Sequence, residues 1–278
     1  MTPGAGQNQD ALQLQALLVS RAYLYTLFNK LLGGTPDAAV LEALESDMTA
    51  DVLDEFAADS PELKAFGGIL AGLRQQDPST LLDAVRDEYT RVLIGPANLP
   101  ASPYESPYTG AHDMALFQEN TVVVRREYRE QGLQARRVQA VPDDHVALMC
   151  AFMAELGKRS LAMLRSGDFA GCAAGLRVQL SFAKRHLGHW LPIYAKSVRN
   201  SKAGAAAVLY PQLLEALATF VNADEAFLAE SAFWVESQTG FDERFDAPAE
   251  LAAAEAALAE LESIRPFGIQ DNELVSVD

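Results

Sequence analysis

One loop, Gly95 to Tyr108, constrains this chain more than any other segment. It carries Pro96, Pro100, Pro103 and Pro107 in a sequence that otherwise reads as helix after helix. Proline fixes φ and removes a backbone donor, so this stretch cannot be helix interior. It must run extended or turned for about a dozen residues, and loops of that length in a compact domain are often functional. It displays Tyr104, Glu105, Ser106 and Tyr108 on a stiff backbone. Stiffness lowers the entropy lost when side chains are presented to a partner, which favours a recognition role. The competing reading is an ordered connector that closes over the core.

Around the loop the pattern is helical. Asp10 reads as the N-cap of a first helix reaching about Leu32, with Leu17, Leu24, Leu27, Phe28 and Leu31 as its buried stripe and Gly33-Gly34 as its stop. Shorter helices are expected over Pro36–Ser46, Ala50–Ala58, Pro61–Gln75 and Pro78–Ile94. Three open with proline behind a capping Thr35, Ser60 or Asp77. Asp113–Gln131 reads as helix. Pro142 opens another to about Arg165, with Val146, Met149, Cys150, Met153 and Leu156 on one face. Ser166-Gly167-Asp168 turns into a helix ending near His186, and a short helix holds Trp190 and Pro192. A long one runs from about Gly204 to Ser237, and Pro248–Ser263 is helical by propensity. No alternating pattern marks a strand. The expected fold class is therefore all-α: a single helical domain of about ten helices in two groups. The groups, residues 10–131 (with the Pro-rich loop at 95–112) and 142–263, are joined by a hinge linker at 132–141. Residues 1–9 read as a mobile N-terminus and 264–278 as a polar tail.

Of 278 residues, 49% are apolar, enough to bury a substantial core. The formal charge is −16, which repels nucleic-acid phosphates and anionic lipid, so no nucleic-acid partner is expected. The same charge suits either plain solubility or a cationic partner. Cys150 and Cys172 form no CxxC and cannot by themselves hold zinc. They read as buried free thiols, consistent with a reducing cytoplasm. The first nine residues contain no basic residue and no apolar run, so no secretory signal is expected there. No run of about 18 apolar residues suggests a membrane span.

The histidines are His112, His145, His186 and His189, none with Glu three residues before it and none in an HExxH pattern. His186 and His189 could share a helix face and a metal, or simply flank Trp190. No phosphate loop, dinucleotide fingerprint or nucleophile elbow occurs. Ser106 and His145 could meet as a Ser–His pair, but nothing in the spacing signals the scaffold such a pair needs. Pro142-Asp143-Asp144-His145 is read as a helix start. Its acids suit the helix dipole, or else they and His145 form a site at the junction of the two helix groups.

Three blocks together resemble the TorD/DmsD family of cytoplasmic chaperones for molybdenum-containing redox enzymes. The first is Glu88-Tyr89-x-Arg91-Val92-Leu93-Ile94-Gly95-Pro96 continuing to Pro103-Tyr104-Glu105-Ser106-x-Tyr108. The second is Tyr128, Gly132-Leu133, Pro142-x-Asp144-His145 and Phe152-Met153. The third is Phe182-x-x-x-His186-Leu187-x-x-Trp190-x-Pro192. The resemblance spans roughly residues 85 to 230. It implies a helical, non-catalytic, cytoplasmic chaperone; no cofactor or metal is expected, and the weak guanine-nucleotide binding of some members is not expected in a chain without a phosphate loop. Its partner would be the twin-arginine leader of an apo molybdoenzyme catalytic subunit, or that subunit itself, held until the molybdopterin is inserted. It also implies that halves can exchange through the hinge to make homodimers. On this reading Tyr104, Glu105, Ser106, Tyr108, Asp144 and His145 form the peptide-binding set. Glu105 and Asp144 supply fork contacts to arginine, the tyrosines cover apolar surface, and His145 tunes the acids or touches the peptide backbone. Replacing Glu105 and Asp144 by alanine is then expected to weaken leader binding with little loss of melting temperature. The alternatives are a metal-dependent or Ser–His hydrolase and a structural helical adaptor using the C-terminal extension.

Overall fold

The computed structural model describes residues 5–57, 60–95, 99–109, 119–238 and 248–277, with side chains from Gln9 onward except that of Glu119. The helices are α1 (Ala5–Gly33), α2 (Ala38–Leu44), α3 (Asp47–Ala57), α4 (Pro61–Leu73), α5 (Pro78–Tyr89), α6 (Ser106–Thr109), α7 (Glu119–Glu130), α8 (Val146–Arg165), α9 (Phe169–His186), α10 (Leu191–Arg199), α11 (Lys202–Ala205), α12 (Tyr210–Glu236) and α13 (Ala249–Ser263). A π-helical turn, Thr90–Ile94, ends α5. The fold is all-α, with one two-stranded antiparallel ribbon of β1 (Leu133–Ala135) and β2 (Leu274–Ser276).

Capping chemistry sets several helix starts. Ser60 and Asp77 accept backbone N–H groups of α4 and α5, as their positions before Pro61 and Pro78 suggested, and Asp168, read only as part of a turn, does the same for α9. For α2 the cap is Asp37, not Thr35. Asp10 does not begin α1, because the helix already runs from Ala5; residues 1–4 lie outside the described residues.

The two helix groups share one apolar core. α1 packs chiefly on α8 and α13, while α12 packs on α9, α10 and α4. Tyr25, Phe28, Phe56 and Phe220 form one aromatic knot, and Tyr128, Phe152 and Phe182 form another. Between α1, α9 and α12 lies a fully buried polar strut. Arg21 pairs bidentately with Asp224 and donates to Gln179 at 2.9 Å, while the Tyr25 hydroxyl donates to Asp224 at 2.8 Å.

The expected polar tail is structural. Thr35 N–H donates to Phe267 O at 2.8 Å, and Asn29 donates to Asn272 O at 2.8 Å. β2 pairs Leu274 with Ala135 and Ser276 with Leu133 inside the expected hinge linker. Ion pairs Arg136–Glu273 (2.7 Å) and Arg137–Asp271 (3.0 Å) flank that ribbon. Gly33 and Gly34 do more than stop α1. A Cβ on Gly33 would stand 2.8 Å from Asn272 Cβ, and one on Gly34 2.8 Å from Pro266 Cβ, so only glycine admits the C-terminal segment there.

Candidate functional site

The proline loop docks on the start of α8. Tyr104 and His145 form an antiparallel bridge, Val146 N–H donates to Pro103 O at 2.9 Å, and Glu105 N–H to Asp144 O at 3.1 Å. Pro100 and Pro103 suit this geometry, since extended backbone with few donors can pair briefly and then turn into α6; Pro96 lies outside the described residues. The Asp144 carboxylate is fully buried and accepts three bonds: Ser106 N–H at 2.9 Å, the Ser106 hydroxyl at 2.5 Å and the Thr121 hydroxyl of α7 at 2.8 Å. Asp143 takes two bonds from Arg125, at 2.6 and 2.9 Å, and its carbonyl accepts the Tyr128 hydroxyl. His145 is the N-cap of α8, its Nδ1 accepting Ala147 N–H at 3.2 Å. Burial lowers its pKa to about 3, so it stays neutral.

Two expectations change here. The helix opens at Val146 rather than Pro142, so Asp143 and Asp144 are not first-turn acids; they precede the cap and receive donors from the loop and α7. Asp144 therefore has no face for an arginine fork, and His145 spends its acceptor on the backbone. Removing Asp144 takes the acceptor away from three buried donors, so a fall in melting temperature accompanies any effect on binding.

Glu105 is also engaged. Buried beside α9, it lies 2.9 Å from His186 Nδ1, and His186 Nε2 lies 3.0 Å from Glu127 of α7. Arg185 holds Glu127 bidentately, and His189 Nε2 stands 3.5 Å from the other Glu105 oxygen. Burial opposes a charge on His186, but its bonds to Glu105 and Glu127 outweigh burial and raise its pKa to about 9. Desolvation pushes the Glu105 carboxyl upward despite the histidines. The result is a buried carboxylate–imidazolium–carboxylate chain tying the loop to α7 and α9, and Glu105 is not free to fork an arginine. A cleft of about 250 Å³ beside the chain is lined by Glu127, Phe152, Arg177, Val178, Ser181 and Arg185, among others.

The tyrosines are half-buried. Tyr108 donates to Ser102 O at 2.8 Å, stacks on Trp190 at 5.3 Å and meets Tyr194 edge-on. Tyr104 packs edge-to-face on His145 at 5.0 Å. Thus the six expected site residues do converge, but Glu105, Ser106, Asp144 and His145 are the joinery, and only Tyr104 and Tyr108 keep part of their surface outside. Sequence reading missed Thr121, Arg125, Glu127 and Arg185 as their partners. Their acids and donors carry no local signal, although Phe182, His186 and Trp190 stood in the third motif block. The Ser106 hydroxyl donates to Asp144 and His145 caps a helix, so no Ser–His nucleophile pair is assembled. Among the described residues, which do not include His112, no group of three or more His, Cys, Asp or Glu is placed to hold a metal. Cys150 and Cys172 are buried free thiols, both pushed up by burial.

Residues 38–196, more than half of the chain, match the family described as nitrate reductase delta subunit. This chain belongs to that family, the one whose chaperones carry the TorD and DmsD names. The Tat proofreading chaperone DmsD of Salmonella typhi is 30% identical over 135 residues, covering 44% of this chain and 64% of that protein. Its counterpart in Salmonella typhimurium (strain LT2) is 30% identical over 132 residues, 42% of this chain and 62% of that protein. The protein of the same name in Salmonella paratyphi A is 32% identical over 79 residues, 27% of this chain and 38% of that protein. The aligned part spans less than two thirds of the length of these curated relatives. The family match encloses the loop, Asp144, His145, His186 and Trp190, so the junction lies within the TorD/DmsD-type portion; α12, α13 and β2 lie beyond it. No helix among the described residues is long and apolar enough to cross a membrane.

Proposed function

We propose that this protein is a chaperone of redox-enzyme maturation. It binds the twin-arginine leader, the apo catalytic subunit carrying it, or both, and holds a molybdopterin enzyme for cofactor insertion before export. The observation that carries this reading is membership of a family with relatives named Tat proofreading chaperone, in a chain whose family motifs meet at one junction. The protein acts by binding rather than catalysis and works in the cytoplasm, where insertion precedes export. In this reading Tyr104 and Tyr108 touch the client, while Glu105, Ser106, Asp144 and His145 hold the loop that presents them.

The energetics favour an apolar contact over a purely ionic one. Exposed arginine–carboxylate pairs contribute about 0–1 kcal/mol each, whereas micromolar binding needs about 8 kcal/mol. Two arginines cannot supply that, and burial of apolar surface at about 25 cal/mol per Å² must supply most of it, less ordering costs. The −16 balance speeds encounter with a basic segment and orients it. The test is calorimetric titration of the protein with a synthetic leader peptide, its Arg-Arg pair intact or replaced by Gln-Gln, and with the apo subunit. Micromolar binding, weakened by the glutamine pair, is expected. Failure of both leader and apo subunit to bind overturns the reading.

A further inference from the structure

We propose that the cavity under β2, between α1 and α8, is a binding site for a small apolar 2-hydroxy carboxylate. The cavity, about 480 Å³, lies in the size range of small-molecule sites. It opens where α8 turns Ala151 and Ala154, one turn apart, into the space and fills little of it. From α1 come Thr26, Asn29 and Lys30, a spacing that sets all three on one helix face. Each is at most 6% exposed, yet each keeps bonding capacity unused. The Thr26 hydroxyl forms no hydrogen bond among the described residues. Asn29 gives its amide hydrogens to Ala147 O at 3.0 Å and Asn272 O at 2.8 Å, while its Oδ1 accepts none among the described residues. Lys30 Nζ donates to Ile264 O at 2.8 Å and Glu262 O at 3.4 Å, which leaves a third hydrogen. Buried polar groups are ordinarily satisfied, so three of them on the wall of one cavity point to a bound partner.

The charges of the wall select the ligand. Its three carboxylates are all paired: Glu155 and Glu262 with Lys158 at 2.9 and 2.5 Å, and Glu273 with Arg136 at 2.7 Å. Arg265 reaches Glu273 only at 3.7 Å, and Lys30 forms no ion pair among the described residues. Four cations thus face three carboxylates, in a chain whose net charge is −16. One added negative charge balances this wall, whereas a doubly charged phosphate meets the repulsion of all three carboxylates. The ligand's carboxylate sits against Lys30 and Arg265. Its hydroxyl donates to Asn29 Oδ1 and accepts from Thr26. Its apolar body covers Ala151, Ala154, Leu133 and Leu274. The floor from α1 and the roof from β2 both lie outside residues 38–196, so this site is separate from the loop–α8 junction.

The experiment titrates the full chain calorimetrically with 3-phenyllactate, with 3-phenyllactamide, which lacks the charge, and with 3-phenylpropionate, which lacks the hydroxyl. The hydroxy acid is expected to bind, the amide about tenfold more weakly and the deoxy acid about fivefold more weakly. Bound hydroxy acid is also expected to raise the melting temperature, because it ties β2 to α1. Burial lowers the Lys30 pKa to about 8, with Arg265 and Lys158 adding to the effect and Glu273 and Glu262 opposing it, so wild-type affinity is expected to decline above pH 8. Lys30→Met is expected to lose about tenfold for the acid and little for the amide. That variant also gives up two bonds to the end of α13, so Ala151→Leu supplies a second test. It leaves every Lys30 bond in place, fills the cavity, and is expected to abolish binding without lowering the melting temperature. No heat from 3-phenyllactate, equal affinity for acid and amide, or full affinity in Ala151→Leu overturns the proposal. The chaperone reading, tested with leader and apo subunit, stands or falls separately.

Discussion

His145 and His186 lie on either side of the same loop and are shifted in opposite directions. His186 holds its proton to about pH 9 because Glu105 and Glu127 face it across its two ring nitrogens, with Arg185 beyond Glu127 and His189 beyond Glu105. Its folded value lies above the unfolded 6.5, so its contribution to stability is complete below pH 6.5 and is lost as pH rises toward 9. His145 is held near 3, so the unfolded chain takes up its proton first. Stability therefore falls as pH drops below 6.5. Lys30, lowered to about 8 by burial with Arg265 adding to the effect, pulls stability back up above pH 8, where the folded state gives up its proton before the unfolded chain does. The clean window for His186 is thus pH 6.5 to 8. Urea unfolding across that window is expected to show declining stability in the wild type and a flat profile in His186→Gln. A wild-type profile without decline would contradict the buried imidazolium.

Among the elements, α12 shows how a helix start is built from far away. The pattern from Gly204 to Ser237 reads as one helix, yet the chain breaks after α11, and α12 begins at Tyr210 behind Leu209, which offers no side-chain cap. Its cap comes from α5. Glu88 accepts Val208 N–H at 2.8 Å, Leu209 N–H at 3.1 Å and Tyr210 N–H. Burial pushes the Glu88 carboxyl up and these three donors push it down, while the helix dipole favours its charge. Tyr210 adds a bond from its hydroxyl to Leu31 O at 2.8 Å, so this corner joins α5, α12 and the end of α1. Glu88→Ala is expected to destabilise the protein by about 2 kcal/mol, from lost capping and orphaned donors. Glu88→Gln, which keeps an acceptor, should recover part of it. Chemical denaturation of the two variants makes the comparison, and equal stability of all three proteins would remove Glu88 from this role.

At the scale of the whole molecule, the C-terminal segment closes the fold instead of trailing from it. It covers the end of α1 through Asn272 and Ile269, and it pairs β2 with β1 inside residues 132–141. Any motion or exchange through that linker must first undo the ribbon and its flanking ion pairs. Deleting residues 265–278 exposes the side of α1 that Ile269 covers and strands Asn29 and Gly33 without their Asn272 partners. A loss of about 2–3 kcal/mol is expected, which for a chain of this size lowers the melting temperature by about 5–10 °C. Thermal melts of the truncated and full chains measure it. An unchanged melting temperature would return the segment to the status of a dangling tail.

Much of this protein was legible from local chemistry. The all-α class, the helices behind Ser60-Pro61, Asp77-Pro78 and Asp168 and the buried thiols rest on proline geometry, capping and apolar period, which act within one or two turns of chain, while the family was legible as a resemblance of three motif blocks. Tertiary structure decided the rest, because a buried polar group is satisfied by whatever packing brings near it. Glu105 and Asp144 read as free acids until α7 and α9 surround them with Thr121 and His186. Arg21 is an ordinary helix residue until Asp224, some two hundred residues later, arrives opposite it. The C-terminal strand, three residues long and weak by itself, exists only because β1 offers an edge. Where a side chain's energy comes from neighbours close in sequence, the sequence declares its role; where it comes from desolvation and distant partners, only the assembled fold does.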